Sequence, residues 1–181
     1  MIKTTLLIGL LFCTLHTFSQ NVFVSDKTTI SFFSEARIEN IQATSTKGNA
    51  AINAVTKDVA FKVPIISFSF ERKLMEEHFN ENYMESDKFP YATLKGKILE
   101  NVDITKEGKY NVTVDGTLEI HGISKAKTFT GVIENKGGRL YIDSEFMLPV
   151  ADHHIKIPND KLSNISQTIK VTVHAEFIPK K

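Results

Sequence analysis

Period-two alternation of apolar and polar side chains dominates the chain. From Tyr110 to His121 it is unbroken. Tyr110, Val112, Val114, Gly116, Leu118 and Ile120 share one face, and Asn111, Thr113, Asp115, Thr117, Glu119 and His121 share the other. Successive side chains of a strand point to opposite sides of a sheet, so this pattern predicts a strand with one dry face. Near the end, Ile169, Val171, Val173, Ala175 and Phe177 alternate with Lys170, Thr172, His174 and Glu176. Leu140, Ile142, Ser144, Phe146 and Leu148 repeat the pattern more weakly.

Less regular runs predict further strands over residues 29–34, 38–44, 50–55, 59–70, 92–99 and 127–133. In the 59–70 run the apolar phase changes at Pro64. Proline cannot donate to a ladder, so a bulge or an edge position is expected there. Turn signals at Lys47-Gly48-Asn49, Glu107-Gly108-Lys109 and Lys136-Gly137-Gly138 separate the runs. One helix is predicted over residues 71–84. That stretch lacks glycine and proline and sets Leu74, Met75, His78, Phe79 and Tyr83 at three- and four-residue spacings. Ser86-Asp87 and Pro90 end it. A second, shorter helix or irregular segment is expected over residues 150–156. Many strands without regular strand–helix alternation predict an all-β sandwich or barrel.

The first residues change where this domain is expected to work. Lys3, an apolar stretch from Leu6 to Leu15 and Thr17-Phe18-Ser19 follow the three-part plan of a secretory signal. Cleavage is expected after Ser19, with cleavage after Gln20 as the alternative. Residues 20–181 then form one domain, exported to the periplasm or beyond. The apolar stretch is too short to span a bilayer, which takes about 20 residues. The single cysteine, Cys13, lies inside it. Bulky Phe12 argues against lipid attachment there, so Cys13 reads as an apolar signal residue. The mature chain then has no cysteine, and disulfides and thiolate chemistry are excluded together. Lys+Arg number 22 against 21 Asp+Glu, with no basic block, which argues against nucleic acid and against electrostatic membrane attachment.

Three stretches resemble the YceI-like family of exported lipid-binding proteins. Residues 74–90 give a helix leading into Phe89-Pro90 and the strand Ala92-Thr93-Leu94-Lys95-Gly96-Lys97-Ile98. Gly116-Thr117-Leu118-Glu119-Ile120-His121-Gly122-Ile123-Ser124-Lys125 is similar to the family's most specific hairpin, and residues 168–177 to its closing strand. Two stretches depart from the family pattern. The early strand Lys27-Thr28-Thr29-Ile30-Ser31-Phe32-Phe33 lacks the histidine found in the family, and residues 146–156 replace its late segment. The resemblance implies a lipocalin-like closed antiparallel β-barrel of about eight strands with one inserted amphipathic helix. It also implies a long apolar cavity for an isoprenoid or quinone-like lipid, with no other cofactor. None of the motifs is catalytic.

Candidate ligand contacts follow from the 13 phenylalanines and the helix. Phe32, Phe61, Phe68, Phe70, Phe79, Phe89, Phe129 and Phe146 could line a tunnel or pack as an ordinary core. Leu74, Met75 and Tyr83 of the helix would serve as portal or as permanent plug. Leu94 and Leu118 join them from the strands. The histidines lack metal-ligand spacing. Adjacent His153 and His154 on a strand would face opposite ways, and His121 and His174 fall in the polar phase. No serine has a nucleophile-elbow context. The expected function is non-enzymatic binding of an apolar lipid. The alternative is an envelope or stress-related interaction module with a filled core. Either a monomer or an oligomer accords with this surface.

Overall fold

The computed structural model describes residues 21–35, 40–158 and 165–180; the signal segment and Cys13 lie outside them. Among the described residues there are ten strands: β1 (Val22–Ser34), β2 (Ile41–Ser45), β3 (Asn49–Asn53), β4 (Asp58–Pro64), β5 (Ser69–Phe70), β6 (Tyr91–Ile98), β7 (Gly108–Ile120), β8 (Ile123–Lys136), β9 (Arg139–Pro149) and β10 (Thr168–Pro179). They form one sheet in the order β10-β9-β8-β7-β6-β4-β3-β1-β2-β5, and β10 also pairs with β1. That pairing closes a barrel of eight antiparallel strands, with β2 and β5 added outside the ring. Closure removes the free edges that an open sheet would present.

The alternation in β7, β9 and β10 becomes the inner wall. Val112, Leu118, Leu140, Leu148, Ala175 and Phe177 are buried, while their polar neighbours face solvent. β1 is longer than expected. A bulge between Ser25 and Lys27 changes its phase, so Phe23 and then Thr28, Ile30 and Ser34 are the buried residues. Pro64 makes no bulge. It ends β4 opposite Tyr91, past the last residue paired with β3, and a short 3-10 turn (Ile65–Ser67) follows.

Between β6 and β7 the inward positions Gly96 and Gly116 lie directly opposite each other. A Cβ on Gly116 would sit 2.6 Å from the Lys95 carbonyl oxygen and 2.8 Å from the Gly96 Cα. The strands approach there as closely as they do because neither carries a side chain. The β7–β8 hairpin turns through His121 (φ 52°) and Gly122 (φ 71°), the two positive values of a tight primed turn.

One end of the barrel is filled. Phe23, Ile52, Ile98, Ile104, Ile133 and Phe177 pack together there, and Asn135 Nδ2 donates to the Ile104 carbonyl at 2.8 Å. The other end carries the helix α1 (Lys73–His78), which runs into a π-helical turn (Phe79–Tyr83). The expected second helix is a 3-10 turn (Val150–His153), ended by His154 in a left-handed conformation. Among the described residues no helix is long and apolar enough to cross a membrane.

Candidate functional site

Above the packed end lies a cavity of about 500 Å³, within the range of small-molecule sites. Its wall is aliphatic and aromatic. β7 supplies Val112, Val114, Leu118 and Ile120; β10 supplies Ile169, Val171 and Val173. Of these aliphatic positions only Leu118 is singled out from the sequence, although the alternation of β7 and β10 already marks the others.

Of the residues expected to meet a ligand, Phe32, Phe61, Phe68, Phe70, Met75, Phe79, Tyr83, Leu94, Leu118, Phe129 and Phe146 line this cavity. Leu74 and Phe89 do not. Leu74 lies roughly 100° round the helix from Met75, and it is 60% exposed. Phe89 packs outside the cavity against the β7–β8 hairpin. A Cβ on Gly122 would meet its ring at 2.6 Å, and its centroid lies 4.5 Å from that of His121.

Four rings hold the helix to the mouth. The Phe79 centroid lies 5.5 Å from Phe32, 5.9 Å from Phe68 and 5.0 Å from Phe70. Phe79 opens the π-turn, in which the Met84 N–H donates to its carbonyl at 2.9 Å. Such turns insert an extra residue into a helix. Here the turn carries Phe79 and Tyr83 onto the cavity side along with Met75.

The far end of the helical segment is tied down by polar contacts. His121 Nε2 lies 3.1 Å from Glu85 Oε2, and His121 Nδ1 lies 3.2 Å from the His153 carbonyl. Lys88 also pairs with Glu85. The Lys88 ammonium first, then the His121 imidazole, hold the Glu85 carboxyl below its ordinary value. Buried His153 places Nδ1 3.0 Å from the Ile123 carbonyl, while His154 faces out. On the outer wall, exposed His174 pairs with Asp143.

Among the described lining residues polar side chains are few: Ser34, His78, Tyr83, Thr93, Thr130 and Ser144. Among the described lining residues there is no carboxylate. Among the described residues no three His, Cys, Asp or Glu side chains are grouped as for a metal ion. The arrangement suits an apolar chain, which gains about 25 cal/mol per Å² buried before the costs of association.

The same architecture occurs in solved structures. A polyisoprenoid-binding domain from Saccharophagus degradans aligns with a TM-score of 0.77 at 13% identity, over 87% of this chain and 98% of that one. Burkholderia cenocepacia BcnA gives 0.69 at 16% identity, over 82% and 95%. A Campylobacter jejuni YceI protein gives 0.65 at 17%, over 81% and 90%. At these identities the likeness is one of fold. No curated protein sequence matches the chain. Residues 19–177 match the YceI-like domain, and the chain belongs to the YceI-like family.

Proposed function

We propose that this protein binds a single apolar lipid chain, of isoprenoid type, inside the barrel and carries or sequesters it without chemical change. The observation that supports this most is the apolar cavity of about 500 Å³ above a packed barrel floor. A module working only through its surface has no use for such a void, which forfeits packing contacts on every lining atom. The polyisoprenoid-binding domain that shares the fold supports the isoprenoid choice. An enzyme acting on the lipid would need acid and base groups converging in the cavity, and the described lining offers His78 and Tyr83 as its only titratable side chains.

The amino-terminal signal reading supports a carrier that works outside the cytoplasm, in water beside membranes, where a free apolar chain is poorly soluble. The test is native mass spectrometry and organic extraction of protein purified from its own host. One lipid per chain is expected. Lipid-free protein that also takes up no isoprenoid alcohol or quinone in solution would overturn the proposal.

A further inference from the structure

The cavity has a floor, and the floor limits the length of chain that fits above it. Among the described residues the lining stops at a layer of Ile52, Val59, Ile98, Val112 and Ile133, which belong also to the cluster packed at the closed end. Ile104, Leu140 and Phe177 of that cluster are fully buried and do not line the cavity. Val114 and Ile142 pack against the same cluster and line the cavity, yet they are only half-buried. Open space therefore begins at their level.

The loop between β6 and β7, residues 99–107, closes the barrel beneath this layer. Asp103 Oδ1 accepts from the Thr105 N–H at 3.2 Å, and the Lys106 N–H donates to the Asp103 carbonyl at 3.2 Å. An aspartate that bonds the backbone two residues on holds a tight turn, and the turn carries Ile104 into the packed cluster. The loop is tied in from two sides. Buried Asn135 of β8 donates to the Ile104 carbonyl and accepts from the Gly138 N–H. The Lys57 ammonium, between β3 and β4, donates to the Val102 carbonyl. Swinging the loop aside would leave the buried Asn135 amide unpaired, which is costly.

Strand geometry gives the depth. On β7 the lining runs from Val112 to Ile120. Those eight steps of about 3.4 Å, tilted about 40° from the barrel axis, give a depth of about 20 Å. On β9, Ile142 to Leu148 gives about 15 Å at the same rise and tilt. An extended isoprene unit, with four backbone bonds of about 1.5 Å, advances about 5 Å.

We propose that the cavity is a length gauge: it takes an isoprenoid tail of about three or four units and excludes long polyprenyl tails. The tail enters at the helical end, and its tip rests on Ile98, Val112 and Ile133. This rests on the apolar-ligand reading above and names the class of chain. A tail that fits can leave a membrane with its apolar surface covered throughout. A nine-unit tail would keep roughly half its length outside the cavity, and apolar surface left in water returns a chain to the membrane.

The test offers delipidated protein phosphatidylcholine vesicles that hold equal amounts of prenols of two, three, four, six and nine units. Native mass spectrometry reads which prenol is bound. Wild type should carry the three- or four-unit prenol at least about tenfold over the nine-unit one. Val114→Phe raises the floor by one inward position, about 5 Å along the axis. It should move the preferred length one unit shorter, with the melting temperature showing that the variant folds. Ile142→Phe makes the same change from β9 should the first variant not fold. A nine-unit prenol bound as well as the four-unit one in wild type, or a preferred length unchanged in a folded variant, would overturn the length gauge alone. Failure of wild type to take up any prenol would overturn the apolar-ligand reading as well.

Discussion

Replacing Phe79 with alanine removes the ring that joins the helix to the barrel mouth. Its centroid lies 5.0–5.9 Å from those of Phe32, Phe68 and Phe70. Truncating a fully buried phenylalanine costs about 3–5 kcal/mol. Phe79 is half-buried and faces the cavity on one side, so fewer contacts are lost. The expected cost is about 2–3 kcal/mol. Ring pairing contributes roughly 0.5–1.5 kcal/mol per pair beyond area, so Phe79→Leu, which keeps most of the apolar surface, should cost about 1–2 kcal/mol. Urea denaturation followed by circular dichroism measures both. A double-mutant cycle with Phe70→Leu should give a coupling of about 0.5–1.5 kcal/mol. The same variants should release bound lipid faster, as read by stopped-flow transfer to vesicles. A loss below about 0.5 kcal/mol would refute the idea that this cluster anchors the helix. Unchanged release would refute the idea that the helix guards the mouth.

Two further outcomes follow from the same geometry. Gly116→Val should destabilise by at least about 1–3 kcal/mol, because its Cβ would meet the backbone of Lys95 and Gly96, which has no room to shift; denaturant unfolding checks this. Glu85 should make stability depend on acid. Lys88 and His121 lower its folded pKa from 4.5, so its contribution is full above that value and is lost as pH falls through the lowered one. Melting curves of wild type and Glu85→Gln should therefore differ at about pH 6 and converge towards about pH 3. A constant difference across that range would contradict the link.

The most regular strands were legible because nothing interrupts their alternation: β7 and β10 read directly from residues 110–121 and 169–177. β1 was less so. Asp26 in its bulge shifts the phase, and the strand showed only in its second half. The helix was legible as an apolar stripe, but the stripe included Leu74, which the Met75–Phe79–Tyr83 line leaves facing water. Phe89 looked like a cavity residue by type; the bare surface of Gly122, far along the chain, draws it outside. The end of the β8–β9 ladder at Gly131 and Ser144 had no local signal. β9 pairs with β10 along one edge from Leu140 to Pro149, whereas its other edge pairs with β8 only as far as Ser144, a difference set by tertiary packing and not by local sequence. Lys125 and Lys127 break the apolar phase of β8 where it leaves that ladder, a trace that reads on sequence alone only as a poor strand start.

The central claim, an open apolar cavity that takes one lipid chain, is tested most directly by calorimetric titration of delipidated protein with farnesol, beside a variant in which Val171→Phe places a ring in the void. Wild type should bind one equivalent with a negative heat-capacity change. Val171→Phe should melt higher and bind at least about tenfold more weakly, since the added ring occupies the space the ligand needs. Equal binding by both proteins would place the lipid elsewhere, and absence of binding to wild type would contradict the claim.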